Sequence, residues 1–254
     1  MNTLYFKSFK DIVNEAIENI DGNGLYYKFQ TNSSFRFKAV ALLAEHGYLV
    51  HGSTEEFDSF DTSKIKGGMR GNYGYGFYFT NAAYKCEEYG NNFVFVDANS
   101  FNFLELEQKV KDNNVVSEIT DKIENLENLK YRCEEELYNA RNNRDYEYFE
   151  GELKKIKTEL RQLTPDVSTN VFYIIFNNIL KQNPNIDYHN MTKKMSQTFD
   201  NELGTSFVPN MFLKLRYDGY HIGTEFVIFN FDKLNANIVK DKNALLERIM
   251  GNAE

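Results

Sequence analysis

The sequence has no tryptophan, only two cysteines and no long apolar run. Without tryptophan, its 22 phenylalanines and 17 tyrosines must carry most of the aromatic burial. Cys86 and Cys133 stand apart with no paired spacing, which argues against both a disulfide framework and a zinc site. No segment reaches the ~18 apolar residues of a membrane span, and the N-terminus lacks the apolar core of a signal peptide. We therefore expect neither a signal peptide nor a membrane contact, and a cytoplasmic location in the producing or a target cell.

An excess of positive charge is also missing. The chain carries 29 basic and 37 acidic side chains, for a formal charge of −8. Binding to nucleic acid by general attraction is thereby excluded, and any such contact would need a local basic patch. With 254 residues, 42% of them hydrophobic, the chain can bury a sizeable core. We expect one domain over 1–254.

Helical and strand patterns are interspersed without the regular alternation of a parallel α/β fold, which predicts an α+β fold. Apolar residues at helical spacing predict a helix over residues 7–20. Short apolar runs predict strands at 47–52, 77–80, 92–98 and 225–231. The long glycine-containing stretch from Ser53 to Gly76 is typical of a flexible loop that is either functional or disordered.

A charged region at 117–164 has a different character. Its apolar residues recur every three or four positions, which predicts helices with a narrow apolar seam. Asn142-Asn143-Arg144-Asp145 interrupts this seam, so we predict an inserted antiparallel helical hairpin. Such a hairpin is either a solvated excursion or an arm for a partner, such as an antitoxin or regulatory protein.

The familiar catalytic and nucleotide-binding motifs are absent. The glycines at 67–76 fit neither a dinucleotide fingerprint nor a phosphate loop, and the four histidines include no zinc-protease pattern. Three separated segments remain, each at the edge of an expected strand. They are YLVHGST with His51, GYGFYFTNAAYKCEEYG with Tyr78 and Tyr89, and GTEFVIF with Glu225.

These segments resemble the three motifs of the H-Y-E branch of the ADP-ribosyltransferase superfamily, which includes diphtheria toxin and the poly(ADP-ribose) polymerases. The motifs HGS, G-x-Y-F-[TA] and E-[FY]-[VI]-[VI]-[FY] read here as His51-Gly52-Ser53, Gly76-Phe77-Tyr78-Phe79-Thr80 and Glu225-Phe226-Val227-Ile228-Phe229. The stretch FDTSKIKGGMRGNYGYGFYFT looks closer still to ADP-ribosyltransferase domains of phage and mobile-element polyvalent proteins. The resemblance covers about 47–98 and 207–239, and it implies a split β-sandwich core.

The resemblance implies a chemistry for each motif residue, with NAD as co-substrate and no metal. Glu225 would stabilise the oxocarbenium-like transition state at the ribose. Tyr78 and Tyr89, 11 positions apart, would stack on the nicotinamide ring. His51 would donate to a ribose hydroxyl. The implied catalytic residues are Glu225, Tyr78 and His51, and the implied NAD-binding residues are His51, Gly52, Ser53, Tyr78, Phe79 and Tyr89.

Two departures from the family pattern narrow the expected activity. Cys86 stands where the polymerases have a serine that touches the carboxamide, and Gly223 stands where arginine-specific relatives have a second Glu or Gln. The first departure weakens or removes the expected carboxamide contact, and the second argues against arginine as the acceptor. The sequence shows no recognisable features for extending a poly(ADP-ribose) chain, so we expect a mono-ADP-ribosyltransferase, of the toxin or defence-effector kind, that modifies a protein or a nucleic acid. Two alternatives stay open: an NAD glycohydrolase toxin that depletes NAD, and a catalytically silent module that binds NAD or a partner.

Overall fold

A computed structural model of the chain describes residues 17–18, 27–29, 41, 43–55, 59–65, 73–82, 85, 90, 92–112 and 114–240. The fold is mixed α+β, as predicted. The chain divides into two compact units. The sheet unit comprises Met1–Glu105 and Leu203–Glu254, and the helical unit comprises Leu106–Glu202.

The strands of the sheet unit are β1 (Ile17–Glu18), β2 (Tyr27–Phe29), β3 (Tyr48–Ser53), β4 (Phe77–Thr80), β5 (Asn92–Asp97), β6 (Phe103–Glu105), β7 (Gly219–Ile222) and β8 (Glu225–Ile228). Among the residues described they form one hydrogen-bonded sheet in the order β1-β2-β5-β3-β4-β8-β7-β6. Of these described strands, only β6 and β7 run parallel to each other, and the other neighbours are antiparallel.

The prediction of a helix over 7–20 is wrong at its described end, because Ile17 and Glu18 form β1. This strand pairs with β2 at the edge of the sheet. Pairing with a neighbouring strand has overridden the local periodicity here, as tertiary contacts often do. Residues 7–16 and 19–20 lie outside the described residues.

One face of the sheet carries a hydrophobic cluster. Alternate side chains of β3, β4, β5 and β8 meet there, because successive side chains of a strand point to opposite faces. The cluster comprises Leu49, Phe60, Phe79, Val94, Val96, Phe101, Phe226, Ile228, Leu234 and Ile238, each at most 8% exposed. Burial of these four phenylalanines and six aliphatic residues fixes the register of the central strands.

The helices are α1 (Asn114–Asn139), α2 (Asn143–Leu163), α3 (Val167–Gln182), α4 (Tyr188–Leu203), α5 (Phe207–Lys214) and α6 (Phe231–Ala236). The first two occupy the region predicted as a helical hairpin. Ile123 and Leu126 of α1, and Leu153, Ile156 and Leu160 of α2, are 7–8% exposed and form the apolar seam. The Asn142 side chain caps α2 by accepting the Asp145 backbone N–H at 2.9 Å.

The rest of the helical unit supplies its own core. Phe172 and Phe176 of α3, with Met191 and Met195 of α4, are completely buried. The insertion therefore reaches beyond the hairpin at 117–164: the compact unit begins at Leu106 and ends at Glu202.

Candidate functional site

The three motif segments, far apart in sequence, lie on three adjacent strands. His51 belongs to β3, Tyr78 to β4 and Glu225 to β8, and these strands are consecutive in the sheet. The motifs of 77–80 and 225–228 pair directly, from Phe77–Ile228 to Thr80–Glu225. The fold thus brings the backbones of all three segments to one region of the sheet unit.

Tyr78 and Glu225 share a face of the sheet. Glu225 is directly opposite Thr80, and Tyr78 lies two positions along from Thr80 on the same strand. Because residues opposite each other, and residues two apart, project to the same face, Tyr78 and Glu225 are diagonal neighbours. Phe79, between them in register, projects to the other face.

The Tyr78 hydroxyl is held at the end of the preceding loop. It donates to the Gly74 carbonyl at 2.8 Å and accepts the Tyr73 backbone N–H at 3.4 Å. Burial, together with the negative charge of Glu225 and despite the Tyr73 N–H, raises the pKa of Tyr78 to about 12. The phenol is neutral at physiological pH, and this shift holds it further from ionisation.

Glu225 makes a close ion pair that the sequence pattern did not reveal. Its Oε1 lies 2.7 Å from Lys85 Nζ, and the two side chains are 28% and 29% exposed. Lys85 follows Tyr78 by seven residues, between the two tyrosines that the sequence analysis assigned to this segment. A lysine in a charged stretch has no spacing that would distinguish this role from a solvated one.

The turn before Glu225 is hydrogen-bonded to β4 and to the residue that follows it. The Thr224 carbonyl accepts the Thr80 hydroxyl at 2.8 Å and the Asn81 backbone N–H at 3.3 Å. Gly223 has φ of +55°, in the left-handed region that favours glycine. Gly223 thus suits the tight turn between β7 and β8.

The His51 ring lies on the other side of the strands. Its ring centroid is 5.3 Å from that of Phe60, 6.4 Å from that of Phe77 and 5.4 Å from that of Phe79. Burial among these rings lowers the pKa of His51, although the hydrogen bond to the Tyr78 backbone opposes this shift. The ring therefore lies against the core face and meets Tyr78 through its backbone rather than its phenol.

This contact defines the tautomer of His51. Nδ1 lies 2.7 Å from the Tyr78 carbonyl oxygen. Because a carbonyl only accepts, Nδ1 carries the proton, and in the neutral ring Nε2 is then the acceptor nitrogen. The donation of His51 to a ribose hydroxyl stays a prediction.

The ladder between β3 and β4 is short. Strand β3 pairs with β5 along its whole length, from Tyr48–Asp97 to Ser53–Asn92, but with β4 it pairs at Val50–Thr80 alone among the described residues. Next to this pair, the His51 imidazole contacts the Tyr78 carbonyl. A side chain of β3 therefore supplies a contact to β4 beside the ladder.

Gly52 and Ser53 are the last two residues of β3. The Ser53 hydroxyl donates to the Glu55 carbonyl at 2.9 Å and accepts the Glu55 N–H at 3.0 Å, so it closes the strand with a local turn. Gly90 packs directly on Ser53: a Cβ added at Gly90 would lie 2.3 Å from the Ser53 carbonyl oxygen. The chain that follows Tyr89 thus returns to the end of the first motif.

The predicted NAD-binding residues Phe79 and Tyr89 contribute no described side chain to the site. Phe79 is 2% exposed within the core cluster, so its side chain serves packing, and only its backbone lies beside the motif residues. Tyr89 lies outside the described residues, as does Cys86. The stacking pair expected from the sequence stays a prediction.

Neither a membrane-spanning helix nor a metal-binding cluster is found among the described residues. In the part of the chain that the structure describes, no helix combines the length and apolar character needed to cross a membrane. Within those same residues, no three His, Cys, Asp or Glu side chains are grouped to hold a metal ion. Comparison with protein-family models, curated proteins and solved structures found no match.

Proposed function

We propose that this chain is an NAD-dependent mono-ADP-ribosyltransferase whose active site includes Tyr78 of β4 and Glu225 of β8. One observation carries the proposal: Tyr78 and Glu225 are diagonal neighbours on the same face of two paired strands. The short ladder between β3 and β4, with a single pair among the described residues, supports the further proposal of a split β-sandwich.

The reaction breaks the bond between the nicotinamide nitrogen and the ribose anomeric carbon. The bonding electron pair leaves with nicotinamide, and the ribose develops positive charge as an oxocarbenium-like species. The carboxylate of Glu225 stabilises this charge, and its rigid attachment at the start of β8 keeps it preorganised. The acceptor then forms a bond to the anomeric carbon and releases its proton.

The neutral Tyr78 phenol suits a cationic pyridinium. An uncharged aromatic face attracts a flat cation by stacking and cation–π interaction, worth ~1 kcal/mol or somewhat more once water is excluded. Its hydroxyl is already bound to Gly74 and Tyr73, so the ring orientation is set before any ligand arrives. His51, hydrogen-bonded to the Tyr78 carbonyl from the core face, holds the backbone that carries this phenol.

The test is incubation of the purified chain with labelled NAD and a cell extract. We expect label on a macromolecule with the native chain, and its loss in Glu225→Gln, while NAD binding stays within about tenfold. Glu45→Gln, an exposed acid of the same unit, is the matched control and should keep full activity.

Other outcomes of this assay point elsewhere. Release of free ADP-ribose without labelled macromolecule would replace the proposal with an NAD glycohydrolase. Absence of both products in the native chain, or full activity in Glu225→Gln, would refute the assignment of this site.

A further inference from the structure

The ion pair between Lys85 and Glu225 joins two segments that are 140 residues apart. Both ends are anchored by other contacts. The Lys85 N–H donates to the Ala82 carbonyl at 3.1 Å, which forms a turn directly after β4. On the other side, the Thr224 carbonyl is bound by the Thr80 hydroxyl at 2.8 Å. The ammonium and the carboxylate are therefore presented to each other by backbone that is fixed to the same strand.

The pair is more enclosed than an ordinary surface salt bridge. Its side chains are 29% and 28% exposed, against 56% and 51% for the Lys122–Glu159 pair of the helical hairpin. Exposed pairs contribute little because water screens them and the side chains stay mobile. A half-buried pair at 2.7 Å instead restricts the rotamer of the glutamate, which has several torsions to fix.

We propose that Lys85 is a positioning residue of the active site: it holds the Glu225 carboxylate by Oε1 in the orientation that the reaction needs. This inference rests on the proposed function. The ammonium engages Oε1, and Glu225 begins β8 on the face of the sheet that it shares with Tyr78. Lys85 acts through Glu225 and has no assigned contact with NAD.

Removing the ammonium should affect the rate far more than the binding of NAD. A misplacement of a catalytic group by about 1 Å can cost on the order of 100-fold in rate. For Lys85→Met we therefore expect kcat to fall about 10- to 100-fold while KM for NAD changes less than about threefold. Lys85→Arg, which keeps a cation able to pair with a carboxylate, should recover most of that loss.

The experiment measures kcat and KM with labelled NAD for the native chain and for Lys85→Met, Lys85→Gln and Lys85→Arg. Lys193→Met, an exposed lysine of α4, is the matched control. Thermal unfolding followed by circular dichroism identifies folded variants, and Lys85→Gln replaces Lys85→Met if the latter does not fold. Unchanged kcat in the folded neutral variant would overturn the proposal, as would Lys85→Arg being as slow as Lys85→Met.

The Glu225→Gln variant distinguishes a failure of this inference from a failure of the proposed function. If Glu225→Gln abolishes turnover and Lys85→Met does not slow it, only the positioning role fails. If Glu225→Gln itself remains fully active, the proposed function fails. When both single variants are impaired, Lys85→Met in the Glu225→Gln background should cause no further loss, because its effect passes through that carboxylate.

Discussion

Asp218 joins four segments of the sheet unit and is the position where a single substitution should be most informative. The residue precedes β7, and its side chain is 8% exposed. Its carboxylate accepts the Asn102 backbone N–H at 2.8 Å, the Asn230 side-chain amide at 2.6 Å and Lys233 Nζ at 2.7 Å. Its backbone carbonyl accepts the N–H groups of Phe229 and Asn230, just after β8.

We expect Asp218→Asn to lower the free energy of unfolding of the sheet unit by about 2–3 kcal/mol. Breaking a buried ion pair by removing one partner costs about 3–5 kcal/mol. We expect a smaller cost than for a fully buried pair because Lys233 is 39% exposed, and water can solvate its ammonium once the carboxylate is gone. The asparagine also turns an N–H toward groups that donate, so at least one of the three hydrogen bonds is lost.

The effect should depend on pH. Burial alone would raise the pKa of Asp218, but Lys233, the Asn102 N–H and the Asn230 amide together outweigh it, and the pKa is lowered. A carboxyl with a depressed folded-state pKa stabilises the fold above its unfolded pKa of about 3.9, and that contribution is lost as the pH falls through the folded value. The difference between the native chain and Asp218→Asn should therefore be full at pH 7 and shrink below about pH 4.

Urea unfolding followed by tyrosine near-ultraviolet circular dichroism, at pH 7 and at a series of acidic pH values, measures this difference. Hydrogen exchange of peptides over 219–230 reports which unit has been weakened. Asp121→Asn, an exposed acid on α1, is the control and should lie within ~0.5 kcal/mol of the native chain. An Asp218→Asn variant as stable as this control at pH 7, or one that keeps the native acid dependence, would refute the reasoning.

Two further substitutions test the packing, each with a control substitution. Gly90→Ala should destabilise the fold by more than about 2 kcal/mol in urea unfolding, because φ is +118° and the new Cβ would collide with the Ser53 carbonyl. Its control, Gly151→Ala in helix α2, has open space around it and should instead stabilise the fold by about 0.5–1 kcal/mol. Ile156→Ala in the hairpin seam should destabilise the fold by about 2–4 kcal/mol. Its control, Ile174→Ala at a side chain that is 51% exposed, should destabilise it by less than about 0.5 kcal/mol, so equal shifts in melting temperature would contradict the burial of the seam.

Strands set by local composition could be predicted from the sequence. The run FYFT corresponds to β4, and Glu225 opens β8, because aromatic and β-branched residues bounded by glycine or turn residues define short strands. The apolar seam of α1 and α2 was visible for the same reason: its period is local. Each of these features depends on residues within about one turn or one strand of each other.

Features created by distant contacts could not be predicted. The partnership of Lys85 with Glu225 spans 140 residues, and that of Asn102 with Asp218 spans 116. Neither has a sequence period, since each depends on which strands become neighbours. The placement of the His51 ring among Phe60, Phe77 and Phe79 likewise follows from the alternation of β3 and β4 after they have paired.

The position of the helical unit explains how the sheet unit tolerates so long an insertion. Strands β6 and β7 are parallel neighbours, and parallel strands require a crossover connection, because a tight turn cannot join them. Here the crossover contains the whole of Leu106–Glu202, followed by α5. Every strand that carries a motif residue, β3, β4 or β8, lies in the sheet unit, and the register between β4 and β8 involves no residue of the insertion. The register that makes Tyr78 and Glu225 neighbours is therefore set within the sheet unit alone, so we expect changes in the length of the insertion to leave that register intact.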